Sequence, residues 1–187
     1  GGTWTRAQEA ELYETYAGAD DVAGERTATD RTFPHMFPSE PAAYYEYLED
    51  TPFIDTLTLD VALEVLAAYE MGSDETTDIL GIGFSATDTV GHQYGPASQE
   101  ALDQILRLDG ILGQLFDAVF EHIRPEDVLI VMTADHGIAP LLERTVARGE
   151  SAVRIDEVAL REAVEYALGE QFTGVSDLIA YMDDETW

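Results

Sequence analysis

The chain has 187 residues, 45% of them hydrophobic, with no cysteine, no lysine, and 38 Asp plus Glu against nine arginines, for a formal net charge of −29. That length and apolar content suit a single domain with its own core and argue against disorder, the lack of cysteine excludes disulfides and thiolate metal ligands, and the lack of any basic patch excludes duplex nucleic acid held through its phosphates. The acids are spread along the chain rather than massed in a tail, and self-repulsion of this size calls for counterions, so the composition points to a halophilic source or, alternatively, to an ordinary acidic secreted protein.

In chain order, residues 1–41 are polar and rich in Gly and Pro, and read mainly as loop. Glu40 to Leu48 predicts a short helix with Pro41 at its first position. Apolar residues from Leu57 to Tyr69 sustain a second helix that Gly72 terminates, and Ser73 to Thr77 is a turn. Asp78 to Ser85 is a short apolar run of the kind that forms a strand buried on both faces. Ser98 then predicts an N-cap. Leu102, Ile105, Leu108, Leu112, Leu115, Phe116, Val119 and Ile123 follow at three- and four-residue steps, giving a long amphipathic helix that ends at Arg124-Pro125. A second buried-strand run starts at Val128, Asp156 caps a helix through Leu168 that Gly169 stops, and Leu178 to Tyr181 is a last short strand. This alternation predicts an α/β fold with a mostly parallel sheet flanked by helices. The expected organisation is one partial domain, with 1–55 a loop-rich insertion, 56–140 the core and 141–187 a helix-strand part. No run approaches the ~18 apolar residues of a membrane span, and Gly1-Gly2-Thr3-Trp4 has no signal-peptide character.

The chemistry gathers at the ends of the two apolar runs. Val128 to Ala134 ends in Asp135-His136-Gly137, and Asp78 to Ser85 is followed by Asp88-Thr89-Val90-Gly91-His92. Ligands of open α/β sheets bind beyond the carboxyl ends of strands. Two strands that each deliver one Asp and one His therefore predict a metal site, with Asp88, His92, Asp135 and His136 as ligands, and the duplication suggests two ions. Imidazole donors favour zinc over calcium or magnesium.

Other residues read as structural. His35, in Phe-Pro-His-Met-Phe-Pro, is expected as a loop histidine packed by aromatics, and His122 as a helix-terminal imidazole facing the dipole. The hydroxyls of Thr87, Thr89 and Thr133 are expected to satisfy backbone groups. Tyr44, Tyr45 and Tyr47 form an aromatic helix face, and Asp109 is structural. Gly81-x-Gly83 allows close packing, Gly91 a turn between two ligands, Gly95-Pro96 the end of that loop, and Gly137 a sharp turn.

Phe84-Ser85-Ala86-Thr87-Asp88-Thr89-Val90-Gly91-His92-Gln93-Tyr94-Gly95-Pro96 resembles the S-x-x-D-x-x-G-H-x-x-G-P segment of the type I phosphodiesterase/nucleotide pyrophosphatase branch of the alkaline phosphatase superfamily. Arg107-Leu108-Asp109 resembles that branch's R-L-D, and Thr133-Ala134-Asp135-His136-Gly137 its T/S-A-D-H-G. Thr32-Phe33-Pro34-His35 and Thr51-Pro52-Phe53 look like segments of the PafA-like bacterial alkaline phosphatases. The resemblance implies hydrolysis of small phosphate esters, monoesters or diesters, at two zinc ions through a Thr or Ser nucleophile. It matches Asp88 and His92 to one ion and Asp135 and His136 to the other. It also implies a periplasmic or extracellular location. The family's nucleophile, one aspartate and one histidine ligand have no counterpart here, so no catalytic nucleophile is assigned and the chain reads as the middle of a larger enzyme, inactive alone. Two alternatives stand beside this reading: a related sulfatase, phosphonate hydrolase or phosphomutase core, and a non-catalytic acidic cation-binding domain. Oligomeric state is left open.

Overall fold

The computed structural model describes residues 2–26, 30–172 and 179. Its elements are strand β1 (Thr3–Trp4), helix α1 (Ala10–Tyr16), strand β2 (His35–Met36), helices α2 (Pro41–Glu49), α3 (Phe53–Ala68), α4 (Ala86–Tyr94) and α5 (Gln99–His122), a 3₁₀ turn at Pro125–Asp127, and helices α6 (Leu142–Ala147) and α7 (Glu157–Gln171). The chain divides into two units, Gly1–Leu141 and Leu142–Trp187.

Capping chemistry fixes two of the five helix starts of the first unit, those of α2 and α5. Pro41 occupies the first turn of α2 while the Glu40 carboxylate accepts from Ala43 N at 2.9 Å. Ser98 caps α5 as expected, its Oγ accepting from Ala101 N at 3.0 Å. Helix α5 packs against α1, α3 and α4. Leu59 on α3 and Ile111 and Leu115 on α5 form one core cluster, with Ile82 and Phe84 against it. Trp4, Phe37, Tyr47, Val90 and Tyr94 form another, with Phe33, Tyr44, Leu48 and Phe53 packed around them. Tyr44 and Tyr47 thus pack inward, whereas Tyr45 is 66% exposed and leaves the expected aromatic face incomplete.

The polar start of α5 is buried in the same interior. Asp103 accepts from Trp4 Nε1, Tyr13 OH, Ala7 N and Arg107 Nε, the first at 2.7 Å. The loop predicted for residues 1–41 therefore contains α1 and a short antiparallel ladder, with Thr3 opposite Met36 and Trp4 opposite His35. Long-range bonds to α5, not local periodicity, tie this segment down.

The expected mostly parallel sheet is not formed among the described residues; the only ladder there is the antiparallel β1–β2 pair. Residues 77–85 and 128–134 run without ladder partners. In the first run burial alternates: Leu80, Ile82 and Phe84 are half-buried, while Ile79, Gly81 and Gly83 are exposed. This is the period of a strand lying on helices with one face covered. A strand buried on both faces needs a second covering layer and neighbours along both edges, and none is formed among the described residues.

Two further differences concern helix ends. The segment expected as a loop around Gly91 is helix α4, and α7 passes through Gly169 to Gln171 instead of stopping there. In the second unit, Asp156 caps α7 as predicted, accepting from Ala159 N at 3.0 Å. The strand predicted at 178–181 lies outside the described residues apart from Ile179, which is not in a strand.

Candidate metal centre

Helix α4 places two of the predicted ligands one turn apart. Asp88 and His92 occupy i and i+4 of this helix, where side chains meet on one face, and His92 Nε2 lies 3.2 Å from Asp88 Oδ1. The helix has no cap of its own at Ser85. Its first turn is held from α3 instead: Asp55, fully buried, accepts from Ala86 N at 3.1 Å through Oδ1 and from Gln104 Nε2 at 2.8 Å through Oδ2. Burial pushes the Asp55 carboxyl above its ordinary pKa against the pull of these donors. Thr89 Oγ1 donates to Glu49 O at 2.9 Å and pins the helix to the end of α2. These tertiary bonds explain why a sequence with an internal glycine is helical here and does not turn at Gly91.

The second pair arrives on the extended run. His136 Nε2 lies 3.7 Å from Asp88 Oδ1, and the His92 and His136 rings are 6.1 Å apart, edge to face. The ligand atoms of Asp88, His92 and His136 all lie within 4.8 Å of one another. Asp135 adjoins this trio without joining it. Its Oδ1 accepts from His136 N at 2.9 Å, its Oδ2 stands 3.8 Å from His136 Nε2, and its side chain is 84% exposed. The His136 N–H holds the Asp135 carboxyl below its ordinary pKa. His136 Nδ1 lies 3.1 Å from Gly137 O. A proton on Nδ1, donated to that carbonyl, leaves Nε2 with the lone pair a metal requires.

The donor set of the trio, two imidazole nitrogens and a carboxylate oxygen, is of the kind that zinc takes. Carbonyl-rich cages of the calcium type are not built here. A cleft of about 290 Å³ is lined by Tyr16, Thr87, Gly91, Ser98, Gln104 and Ile138, and none of the four candidate ligands lines it.

The remaining residues singled out from sequence play structural parts. Thr87 Oγ1 accepts from Gln104 Nε2 at 3.2 Å, and Thr133 Oγ1 donates to Ala134 O at 3.0 Å. His35 is packed by Trp4, Phe33 and Tyr94, as expected. It is also completely buried between two carboxylates, with Nδ1 at 2.9 Å from Asp30 and Nε2 at 3.0 Å from Glu100. His122 lies in the last turn of α5, and Asp109 is exposed on the same helix. Sequence reasoning missed Asp55 and Gln104, the residues that brace the ligand helix. The one available signal was an acid and an amide on the apolar faces of α3 and α5.

The chain matches the type I phosphodiesterase/nucleotide pyrophosphatase family over residues 3–182. It is 36% identical over 137 residues to the alkaline phosphatase PhoV of Synechococcus elongatus, covering 72% of this chain and 25% of that one. It is 34% identical over 129 residues to the alkaline phosphatase PafA of Elizabethkingia meningoseptica, covering 67% of this chain and 24% of that one. The crystal structure of wild-type alkaline phosphatase PafA superposes with a TM-score of 0.75 at 28% identity, over 91% of this chain and 33% of PafA. The chain thus spans about a quarter of the length of these two relatives.

Proposed function

We propose that this chain, which belongs to the type I phosphodiesterase/nucleotide pyrophosphatase family and resembles part of the PafA-like alkaline phosphatases, carries part of the two-zinc site of an enzyme that hydrolyses small phosphate esters. The observation that carries this reading is the convergence of Asp88, His92 and His136, whose ligand atoms lie within 4.8 Å of one another. The ions of two-metal sites sit about 3.5–4 Å apart, so ligands of adjacent ions also come within such reach. Asp88 and His92 then serve one ion, with Asp135 and His136 turned toward the other. In the isolated chain the Asp88/His92/His136 trio takes up a single ion.

A bound zinc supplies Lewis acidity toward a phosphoryl oxygen. The chain's own contribution is to present three donors with their ligand atoms already gathered, because positioning supplies much of the barrier reduction in phosphoryl transfer. Thr87, Thr89 and Thr133 are engaged in hydrogen bonds and are not assigned as nucleophile. The isolated chain therefore binds zinc and does not turn over esters. A periplasmic or extracellular setting for the whole protein belongs to the same reading. No helix among the described residues is long and apolar enough to cross a membrane.

Calorimetric zinc titration tests the proposal, alongside hydrolysis of p-nitrophenyl phosphate and its bis-ester. The expected outcome is one zinc per chain, lost in His92→Ala and in His136→Ala, with no turnover. Turnover abolished by Asp135→Ala with His136→Ala would show a complete site within these 187 residues. Undiminished zinc binding in both single variants would sink the trio as ligands.

A further inference from the structure

We propose that Gly91 and Gly95 form a seat for Ile138 and Leu141, and that this seat sets His136 against Asp88 and His92. The inference rests on the reading of those three residues as metal ligands and adds the part of the fold that brings them together.

Gly91 lies inside α4 and is buried, although glycine is among the poorest helix formers. Its lack of a side chain is used. A Cβ at this position would overlap Ile138 Cδ1 and stand 3.3 Å from Cγ1. Gly95, four residues on and at φ +84°, repeats the arrangement: a Cβ there would stand 2.7 Å from Leu141 Cγ and 3.0 Å from its Cδ1. Asp88 and His92 form one i, i+4 stripe of the helix, Gly91 lies beside it, and Gly95 is the cap residue just past the helix end.

The chain after His136 runs past Gly91 and Gly95, with Ile138 at the first and Leu141 at the second. Ile138 and Leu141 follow His136 by two and five residues, are half-buried, and lie in a stretch without regular secondary structure. Side-chain contact of Ile138 and Leu141 with the two glycines helps set the distance of that stretch from α4. A methyl group at residue 91 would force Ile138 Cδ1, the far end of its side chain, to swing aside and would crowd Cγ1 at 3.3 Å, loosening the contact that holds the chain two residues after His136. The glycines are therefore positioning residues, acting on the ligand through Ile138 and Leu141.

The test is a size-complementation pair in the full 187-residue chain, read by zinc titration and by circular dichroism. Gly91→Ala is expected to weaken zinc binding about tenfold or more, the range seen when groups that orient metal ligands are lost. Because alanine is the better helix former, helicity should hold or rise. If the glycine served only α4 itself, affinity would be unchanged or improved. Adding Ile138→Val removes the one carbon that the new methyl overlaps, and should restore most of the loss. Ile138→Ala alone leaves α4 untouched and should also weaken binding, which keeps the test usable if Gly91→Ala does not fold. Unchanged affinity in Gly91→Ala, or a double variant no better than the single one, overturns the seat.

A metal-free readout separates the two layers of the argument. In the zinc-free wild-type chain, a nuclear Overhauser contact between the Ile138 δ1 methyl and the Gly91 α protons is expected. Its absence, in a chain that binds zinc through the trio, overturns the seat alone. Its presence in a chain that binds no zinc overturns the metal reading and the seat's role with it.

Discussion

The interior around the start of α5 and the extended run at 128–134 invert the usual relation between polarity and burial. In the first, His35, Glu100, Asp103 and Asp55 are all 0% exposed. In the second, Leu129 is 88% exposed, Val131 79% and Met132 78%. The difference follows the supply of partners. Asp103 has four donors converging on it, and His35 bridges two carboxylates, so burial of charge is compensated inside the unit. The apolar run has neither a ladder nor a covering layer among the described residues, so its hydrophobicity is not used there. The candidate site joins these two regimes. Asp88 and His92 ride on a helix braced from the polar interior, and His136 comes in on the uncovered run.

The sharpest break of this contrast is removal of the His35 bridge. Glu100 Oε2 is already buried without a partner, so His35→Ala would leave two carboxylates facing each other across a cavity. Breaking a buried ion pair from one side costs about 3–5 kcal/mol, and urea unfolding of the full chain should show a loss of that order. The bridge also has a pH signature. Burial pulls the His35 imidazole down, but the hydrogen bonds and charges of Asp30 and Glu100 outweigh it and hold its pKa above the ordinary histidine value of 6.5. A raised folded pKa gives a contribution fully present below pH 6.5 and lost as pH rises through the folded value. For Glu100, burial outweighs His35 and raises the carboxyl, which acts in the same direction. Asp30, also opposed by burial, is held low by its bonds to His35 and Tyr47, and its contribution is lost only as pH falls below the ordinary carboxylate range. Stability is therefore expected to peak in mild acid and decline above pH 6.5, with the decline flattened in His35→Gln. A wild-type midpoint that rises with pH above neutrality would refute a charged bridge.

A smaller effect, reaching the site itself, is expected from the Asp55 brace. Asp55→Ala removes the acceptor for Ala86 N and leaves Gln104 Nε2 without its carboxylate. A lost cap and a buried donor deprived of its partner together amount to about 2 kcal/mol. Because Asp88 lies in the first turn of α4, zinc affinity should fall along with stability. Loss of stability with full retention of zinc binding would show that the ligand helix does not depend on its brace.

What the sequence made legible was local. The starts of α2, α5 and α7 were readable because Glu40-Pro41, Ser98 and Asp156 carry their own capping chemistry. The convergence of Asp88, His92 and His136 follows a pattern visible in the sequence, residue types that can ligate metal standing directly after apolar runs. Helix α1 was not, because the bond that anchors it joins Tyr13 to Asp103, ninety residues away. Helix α4 was not, because Ala-Thr-Asp-Thr-Val-Gly-His-Gln-Tyr has weak local helix propensity and its brace comes from Asp55 and Glu49 on other helices. The parallel sheet is not formed among the described residues for the complementary reason. An apolar run announces that it can be buried on two faces, but pairing needs neighbours that lie outside the run itself.

The smallest expected effect is the one most specific to the contrast. If the run at 128–134 is uncovered, then Leu129→Thr together with Val131→Thr should change stability by less than about 0.5 kcal/mol, as for surface substitutions away from packed features. Threonine keeps the β-branch of Val131 and favours extended backbone at both positions, so the change tests burial and not backbone propensity. The same pair inside a sheet buried on both faces would cost several times more, because each position would lose an apolar group and bury a hydroxyl. The measurement is urea unfolding at two protein concentrations. A flat, concentration-independent response supports an open run. A midpoint that climbs with concentration in the wild type, and stops climbing in the double variant, would mean that a second copy covers the run in solution. A large loss at every concentration would mean that the chain itself buries Leu129 and Val131, and the contrast between the two regions would collapse.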